Sequence, residues 1–245
     1  MAIFLDTGNL YDIERFHRMG ILRGVTTNPT ILLKDGVTGG MPGLELRAKE
    51  IARVIAPLPL SVEVTSQERA EVIRQARTFA GWSENIIVKI TIHGPEGELE
   101  NLEIIHELEA QHNVRVNVTA LMSAQQGLIA ALAGATYVSI FGGRVNNMGY
   151  NVCDEISTLR GVLDQIGLKS QIIVGSTREA LNVIEWLKAG AHIVTVVPQL
   201  LHTMIVHPYT KETVQMFLRD AAQAEEVLKI QLPIPPRLVG ASKDD

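Results

Sequence analysis

The chain has few of the features that mark secreted, membrane or nucleic-acid-binding proteins. A single cysteine, Cys153, cannot form an internal disulfide, which fits a reducing compartment. No apolar run reaches the ~20 residues that a transmembrane helix needs, and the first apolar run has no basic region before it, as a signal peptide would. The net charge of −5 comes without a basic stripe, which argues against nucleic acid and anionic membranes as partners. We therefore expect a cytoplasmic protein that acts on small molecules.

Aromatic residues are also scarce, at 4% of the 245 residues, while aliphatic residues are abundant. This composition is typical of a barrel that is packed with Val, Ile, Leu and Ala and surrounded by helices. A single α/β barrel commonly has this length. No histidine lies near Cys153 at ligand spacing, which favours an ordinary thiol over a nucleophile.

Short apolar, β-branched runs recur along the chain and alternate with helical patterns. Several are continuously apolar over four or more residues, as is typical of parallel strands covered on both faces. The runs are residues 3–6, 24–27, 60–64, 86–91, 114–118, 137–141, 171–174 and 192–197. Eight alternating units predict a closed (β/α)8 barrel, the TIM barrel fold of the α/β class, with an open doubly wound sheet as the alternative.

Amphipathic segments separate the strands. The segment after the seventh strand shows the pattern best, and Gly190 ends it. Its predicted apolar face comprises Ala180, Leu181, Ile184 and Leu187. Residues 35–42 predict a surface loop, with a mobile lid as the alternative. Residues 211–228 predict an extra helix that the proline-rich segment 232–236 cannot continue, so residues 1–245 are interpreted as one barrel domain with a C-terminal helix and tail from about 211 to 245.

Lys89 is the most informative polar residue, because the catalytic site of a barrel lies at the carboxyl ends of its strands. It lies inside the apolar segment 86–90, where a solvated lysine is out of place. Burial among Ile and Val disfavours the ammonium form, and a neutral amine can attack a carbonyl to form a Schiff base. The alternative is a structural lysine paired with a buried carboxylate. Asp6 and Glu63 at other strand ends favour catalysis, since one of them remains available for proton transfer.

Further polar groups end the other strands. Asn28 follows the second strand, where it could hold a substrate hydroxyl or simply cap a turn. Asn117, Thr119 and Ser139 lie at the ends of the fifth and sixth strands. These groups are expected to meet Lys89 at one mouth of the barrel.

Three residues predict an anion site at this mouth. Arg144 follows the sixth strand, and Ser176 and Arg178 are expected at the start of the helix after the seventh. An arginine and a helix N-terminus suit a tetrahedral oxyanion. A surface cation is the alternative for each arginine.

The motifs around these residues resemble the small-subunit transaldolase and fructose-6-phosphate aldolase family. The resemblance runs from about residue 3 to about residue 220, and its most specific part is TTNP at 26–29 combined with the lysine of the fourth strand. The other matching motifs are LDT at 5–7, VEV at 62–64, IVK at 87–89, NVTAL at 117–121, AGA at 133–135 and YVS at 137–139.

The resemblance implies a role for each residue. The implied catalytic residues are Lys89 as the Schiff-base lysine, Asp6 as the acid and base at the C4 hydroxyl, and Glu63 with Thr119 as holders of the catalytic water. The implied substrate-binding residues are Thr26, Asn28, Asn117, Ser139 and Phe141, with Arg144, Ser176 and Arg178 as the sugar-phosphate clamp. It also implies a homo-oligomer, either a pentamer or a decamer.

Two positions resemble the transaldolase branch of the family. Glu63 stands where the aldolase branch has glutamine, and Phe141 stands where that branch has a tyrosine hydroxyl. Without a proton donor beside it, the enamine intermediate survives until an acceptor aldehyde arrives. The alternatives are an aldolase that cleaves fructose 6-phosphate to free dihydroxyacetone and glyceraldehyde 3-phosphate, and a non-catalytic sugar-phosphate-binding protein.

The chain departs from the family around the clamp, which leaves the terminal anion open. RVNN at 144–147 lacks the aspartate that is usual after this arginine. A sulfonate is tetrahedral like a phosphate but carries one charge, so the expected donor is either fructose 6-phosphate or 6-deoxy-6-sulfofructose. The expected acceptor is an aldose phosphate such as glyceraldehyde 3-phosphate or erythrose 4-phosphate. No metal or organic cofactor is expected, because a protonated imine serves as the electron sink and the histidines are scattered.

Overall fold

The computed structural model describes residues 1–228 of the chain, in which strands and helices alternate. The strands are β1 (Ala2–Asp6), β2 (Val25–Thr26), β3 (Leu60–Glu63), β4 (Ile86–Thr91), β5 (Val116–Leu121), β6 (Tyr137–Phe141), β7 (Gln171–Gly175) and β8 (Ile193–Val196). The helices are α1 (Leu10–Arg18), α2 (Pro29–Lys34), α3 (Gly40–Ile55), α4 (Arg69–Ala80), α5 (Glu100–Gln111), α6 (Ala124–Leu132), α7 (Gly142–Asn147), α8 (Val152–Ile166), α9 (Ala180–Lys188), α10 (Pro198–Ile205) and α11 (Pro208–Leu228).

The strands form one closed parallel barrel in chain order, from β1 to β8 and back to β1. The predicted (β/α)8 barrel with an additional C-terminal helix is therefore confirmed. Residues 1–202, which contain the barrel, form one compact unit, and a second unit begins at residue 203. Within residues 1–228, no helix is both long and apolar enough to cross a membrane.

The inside of the barrel changes from apolar to polar along the strands. An apolar layer is formed by Phe4, Ile87, Tyr137, Ile173 and Ile193, all of them buried. Side chains two residues apart on a strand point to the same face. The next layer therefore comprises Asp6, Lys89, Ser139, Gly175 and Thr195. This layer lies towards the carboxyl ends of the strands, where barrel enzymes carry their active sites.

The fifth strand differs most from its prediction. The apolar run suggested residues 114–118, whereas β5 spans Val116–Leu121 and contains Thr119. Its pairing with β6 shifts register between Val118 and Leu121, and Ala120 has a left-handed φ of 62°. Bulges of this kind often lie next to active sites, where they redirect a side chain.

The predicted apolar face of α9 is wrong. Leu181 and Ile184 are 61% and 53% exposed, whereas Val183 and Trp186 are fully buried. A Cβ atom on Gly142 would lie only 2.8 Å from the ring of Trp186. The glycine at the start of α7 thus makes room for the largest side chain of α9, and that contact sets which face turns inward.

Two smaller predictions are corrected at helix ends. The predicted loop 35–42 is shorter, because α3 begins at Gly40 and includes Pro42 in its first turn. The predicted C-terminal helix 211–228 begins earlier, at Pro208. Gly190, with φ of 111°, follows the end of α9 as predicted. The proline-rich segment 232–236 lies outside the described residues, and the mobile lid at residues 35–42 stays an alternative.

Candidate active site

Lys89 is buried in the barrel mouth and is held by two acceptors. The residue is 5% exposed, its Nζ lies 3.0 Å from Glu63 Oε2, and it donates to the Thr27 carbonyl oxygen at 3.0 Å. The register of β3 and β4 places Glu63 directly beside Lys89. Glu63 therefore pairs with Lys89, as expected if the lysine were structural. Asp6 does not pair with Lys89 and so remains available.

Asp6 is the second carboxylate, and a hydroxyl holds it. Thr26 Oγ1, on the neighbouring strand β2, donates to Asp6 Oδ1 at 2.6 Å. Burial raises the pKa of Asp6 above its usual range, while the Thr26 hydrogen bond and the charge of Lys89 oppose that rise. A carboxyl with a raised pKa beside a lysine is typical of catalytic acid–base groups.

The raised pKa of Asp6 predicts a pH-dependent gain in stability for Asp6→Asn. An unfolded aspartate titrates near pH ~3.9, so the wild-type chain loses stability as the pH rises through the higher folded pKa of Asp6. Asparagine has no such loss. The Tm difference between variant and wild type should therefore grow from pH 4 to pH 8, and calorimetry can resolve it because 1 kcal/mol corresponds to about 2–4 °C in a chain of this length.

The matched control is Asp220→Asn, which replaces an exposed aspartate of α11. Its Tm difference from wild type should be the same at both pH values. A constant or shrinking difference for Asp6→Asn would contradict the direction of the pKa shift at Asp6.

A chain of buried polar side chains crosses the floor of the mouth. Ser139 Oγ donates to Asn117 Oδ1 at 2.6 Å, and Asn117 Nδ2 donates to Ser61 Oγ at 3.1 Å. Both predicted residues therefore lie together, and Asn117 is directly beside Lys89 in the register of β4 and β5. The hydrogen bonds fix the orientation of the Asn117 amide next to the lysine.

Thr119 and Asn28 keep polar atoms available. Thr119 Oγ1 is buried and has no hydrogen-bond partner among the described residues, which is rare for a buried hydroxyl. Asn28 Oδ1 accepts from the Ile31 backbone N–H at 2.9 Å and so caps α2, the alternative that the sequence left open. The amide nitrogen of Asn28 donates to no atom within residues 1–228 and remains free for another ligand.

Two residues of the predicted anion site lie in a loop and not at a helix N-terminus. Ser176 and Arg178 lie in the loop before α9, because the helix begins at Ala180 with Glu179 as its N-cap. Asn182 Oδ1 already accepts from the backbone N–H groups of Arg178 and Glu179, so these donors are not free for an anion. Any anion site here depends on the side chains.

Glycine nevertheless brings the elements of this site together. A Cβ atom on Gly143 would overlap the Ser176 carbonyl oxygen and would lie 3.0 Å from Arg178 Cγ. The start of α7, which carries Arg144, therefore packs directly on the loop with Ser176 and Arg178. Ser176 has a left-handed φ of 59°, a strained conformation for a serine that is common at functional sites.

Arg144 is exposed and lies over an aromatic ring. Its guanidinium carbon is 5.2 Å from the centroid of the Phe141 ring, within the range of a cation–π interaction. Phe141, at the end of β6, therefore orients Arg144 at the mouth. Arg144 has no ion-pair partner among the residues that the structure describes, which leaves its charge available to an anion.

The sequence patterns missed three residues of the site. Ser61 supports Asn117, Thr195 contacts Thr26 at 2.6 Å, and Asp35 accepts from Thr7 Oγ1 and from the Gly8 N–H just after Asp6. Alternation could have found Ser61, since it lies two residues before Glu63 and shares its face. Nothing in the sequence pairs Asp35 or Thr195 with residues far away in the chain.

Cys153 lies in the first turn of α8 and is partly buried. Burial raises the pKa of its thiol, and the carboxylates of Glu185 and Asp154 raise it further. A raised pKa reduces the reactive thiolate fraction. These surroundings favour the predicted ordinary thiol.

The fold and the polar mouth define a (β/α)8-barrel enzyme with a buried lysine paired with one carboxylate and a second carboxyl held by a hydroxyl. A sequence model of the family described as Transaldolase/Fructose-6-phosphate aldolase matches residues 3–232. The chain belongs to this family, and it is an enzyme of the transaldolase type.

Individual relatives agree with the family match. A "Probable transaldolase 2" of Listeria monocytogenes is 40% identical over 220 residues, covering 90% of this chain and 95% of the relative. A "Probable transaldolase" of Lactiplantibacillus plantarum is 39% identical, covering 90% and 96%. A "Probable transaldolase" of Streptococcus equi subsp. zooepidemicus is 36% identical, covering 92% and 100%.

Solved structures with low identity support the fold alone. A thiamine phosphate pyrophosphorylase from Pyrococcus furiosus superposes with a TM-score of 0.56 at 12% identity, covering 80% of this chain and 85% of the other. A putative phosphonomutase from Burkholderia cenocepacia gives a TM-score of 0.56 at 14% identity, covering 89% and 92%. Their activities carry no weight for this chain, because barrels host many chemistries.

Proposed function

We propose that the protein transfers a dihydroxyacetone unit from a ketohexose with an anion at C6 to an aldose phosphate, through a Schiff base on Lys89. Two carboxyl groups with different partners carry this proposal. Glu63 pairs with Lys89 at 3.0 Å, while Asp6 is held separately by Thr26 and has a raised pKa. One carboxyl can therefore assist the amine while the other handles the substrate's protons.

Lys89 is arranged to act as a nucleophile. Its Nζ donates to Glu63 Oε2 and to the Thr27 carbonyl oxygen. In the neutral amine, these two N–H bonds and the bond to Cε leave one tetrahedral position, which holds the lone pair. The third ammonium proton departs to water at that position, while Glu63 and the Thr27 carbonyl oxygen keep the other two N–H groups in place. Attack of Nζ on the C2 carbonyl of the ketose, followed by loss of water, then forms the protonated imine.

Asp6 performs the proton transfers of the carbon–carbon step. Its carboxylate takes the proton of the C4 hydroxyl, the C3–C4 bond breaks, and the electron pair moves into the protonated imine to give an enamine. A three-carbon aldehyde with the terminal anion leaves. The enamine then attacks the acceptor aldehyde, and Asp6 returns the proton to the new hydroxyl.

Thr119 and Glu63 complete the cycle by holding the water that hydrolyses the product imine. The Thr119 hydroxyl is buried without a protein partner in the described part of the chain, and Glu63 faces the same lysine. Thr26, Asn28, Asn117 and Ser139 bind or align the dihydroxyacetone part. The free Asn28 amide and the fixed Asn117 amide support this assignment.

The terminal anion binds the side chains of Arg144, Ser176 and Arg178, which Gly143 brings together. Fructose 6-phosphate and 6-deoxy-6-sulfofructose both present a tetrahedral anion to this site. The acceptor, glyceraldehyde 3-phosphate or erythrose 4-phosphate, places its own phosphate there after the first aldehyde has left. These sugar phosphates or sulfosugars are the proposed partners, and assembly into a pentamer or decamer and a cytoplasmic location stay predictions.

Acceptor dependence tests this function directly. Fructose 6-phosphate, sulfofructose and sedoheptulose 7-phosphate should each be assayed with and without an acceptor aldose phosphate. Transfer product should form with acceptor, and free dihydroxyacetone should be minor without it. Equal rates of dihydroxyacetone release and of transfer would make the protein an aldolase, and binding without any turnover would make it a sugar-phosphate-binding protein.

Phe141→Tyr should move the enzyme towards free dihydroxyacetone release. A tyrosine hydroxyl at the end of β6 would supply a proton to the enamine, and a positioned general acid typically contributes about 10²–10⁴-fold. The ratio of acceptor-free release to transfer should rise at least about tenfold, measured by enzymatic assay of dihydroxyacetone. Phe141→Leu is the control without a hydroxyl, and a similar rise in that variant would exclude proton donation as the cause.

A further inference from the structure

Thr195 on β8 contacts Asp6 through a single intervening hydroxyl. Thr26 Oγ1 lies 2.6 Å from Asp6 Oδ1 and 2.6 Å from Thr195 Oγ1. Thr26 and Thr195 are only 3% and 6% exposed, so protein surrounds this pair of hydrogen bonds. The three side chains come from β2, β1 and β8, which are neighbours in the closed barrel.

The protonation state of Asp6 sets the direction of the two hydrogen bonds that link Thr195, Thr26 and Asp6. An ionised Asp6 can only accept, so the one hydroxyl proton of Thr26 goes to Asp6, and Thr195 must donate to Thr26. When Asp6 has taken a proton and donates it to Thr26, the Thr26 hydroxyl can donate to Thr195 instead. The two hydroxyls can thus satisfy both protonation states of Asp6 by rotation alone.

We propose that Thr195 is a positioning residue of the reaction, whose hydroxyl aims the Thr26 hydroxyl at Asp6 and keeps that carboxylate oriented to take the C4 proton. This inference rests on the proposed function of Asp6. A charge-assisted chain of hydrogen bonds is strengthened cooperatively, by roughly 10–30% per bond. Thr195 therefore acts more strongly on the ionised than on the protonated state.

Two further contacts hold Thr195 in place. Its backbone carbonyl oxygen accepts from Thr177 Oγ1 at 2.8 Å, in the loop that also carries Ser176 and Arg178. A Cβ atom on Gly175 would lie 3.1 Å from Thr195 Cγ2, so the glycine leaves just enough room for the threonine methyl. The orientation of the hydroxyl is thus set from the β7 side, and Thr195 joins the anion-binding loop to the acid–base group.

The charged surroundings of Asp6 do not involve Thr195. Lys89, Glu63 and Asp35 are the charges that act on the pKa of Asp6. The cavity of about 440 Å³ beside Asp6 is also lined by Asp12, Arg15, Lys34 and His202. Replacing a neutral hydroxyl leaves all of these charges in place, so a change in the titration of Asp6 reports on the hydrogen-bond chain.

A matched pair of substitutions tests the proposal. Thr195→Val keeps the shape and removes the hydroxyl, whereas Thr195→Ser keeps the hydroxyl and removes the methyl. Single-turnover cleavage of fructose 6-phosphate should be followed from pH 5 to pH 9, with borohydride trapping on Lys89 in parallel. Thr195→Val should move the acidic limb by about half a pH unit to higher pH, because the hydrogen bond from Thr26 to the ionised carboxylate loses its cooperative strengthening. On the limb this is about a threefold lower single-turnover rate.

Thr195→Ser should keep the wild-type pH profile, and thermal melting should show that both variants fold. If Thr195→Val does not fold, Thr195→Ala also lacks the hydroxyl and must show the same displacement. An unmoved limb in Thr195→Val, or equal displacement in the valine and serine variants, overturns the role of Thr195. A wild-type protein that cleaves donor without a borohydride adduct on Lys89 overturns the proposed function instead, so the two failures are distinguishable.

Discussion

Lys89→Met should reduce transfer activity by on the order of 10⁴-fold or more, because the covalent intermediate cannot form without the amine. Borohydride reduction of the wild-type protein with a ketose donor should add one dihydroxyacetone unit at Lys89, since reduction converts the imine into a stable amine. Peptide mass spectrometry locates the adduct. The buried position of Lys89, in reach of Glu63 and Thr27, makes it the expected site.

Two variants make this result specific. Lys169→Met removes an exposed lysine that precedes β7 at the opposite end of the barrel, and it should leave activity unchanged. Lys89→Met also leaves the Glu63 carboxylate without its partner, which costs stability. Lys89→Arg keeps a cation beside Glu63 but cannot form an imine, so it should be folded and inactive. An adduct at another residue, or substantial activity in a folded Lys89→Arg protein, would refute the Schiff-base assignment.

Arg144→Ala and Arg178→Ala should each lower kcat/KM for fructose 6-phosphate by about 10–150-fold. A hydrogen bond between a charged group and a bound anion contributes roughly 1.5–3 kcal/mol, and this loss appears in transition-state binding. The slow cleavage of unsubstituted fructose should hardly change, because that substrate has no terminal anion. Comparing the two substrates in steady-state assays separates anion binding from a structural role.

Arg77→Ala, at an exposed position of α4, is the control and should behave as wild type with both substrates. Equal losses with fructose and fructose 6-phosphate would mean that the arginines support the fold and that the anion binds elsewhere. The same assays decide between donors. A preference of tenfold or more for fructose 6-phosphate over sulfofructose would reject the sulfonate as the native anion.

Much of the barrel was predictable because each parallel strand carries its own signal. A strand covered on both faces must be apolar over most of its length, and β4 and β6 have the predicted bounds. Lys89 stood out for the same reason, as a charge inside such a run. Strand ends then predicted a common mouth for Asp6, Glu63 and Lys89, since all strands of the barrel run in the same direction.

The predictions that were wrong concern contacts between distant segments. The apolar face of α9 was misplaced because the space for Trp186 is provided by Gly142, more than forty residues earlier. The end of β5 was misplaced because the bulge at Ala120 depends on its pairing with β6. The pattern predicts Ser176 and Arg178 at a helix start, but the helix begins after Glu179, where the Asn182 side chain accepts from the N–H groups of Arg178 and Glu179.

The sequence by itself determined the class of fold, the inward lysine and most of the polar residues at the mouth. These follow from alternation and burial, which are properties of short stretches of chain. Only the tertiary structure decided which groups pair: Glu63 with Lys89, and Asp6 with Thr26 and Thr195. Such pairs depend on the register between strands and on barrel closure, which places β8 beside β1. No local pattern encodes that neighbourhood, because its members are brought together only when the whole barrel has formed.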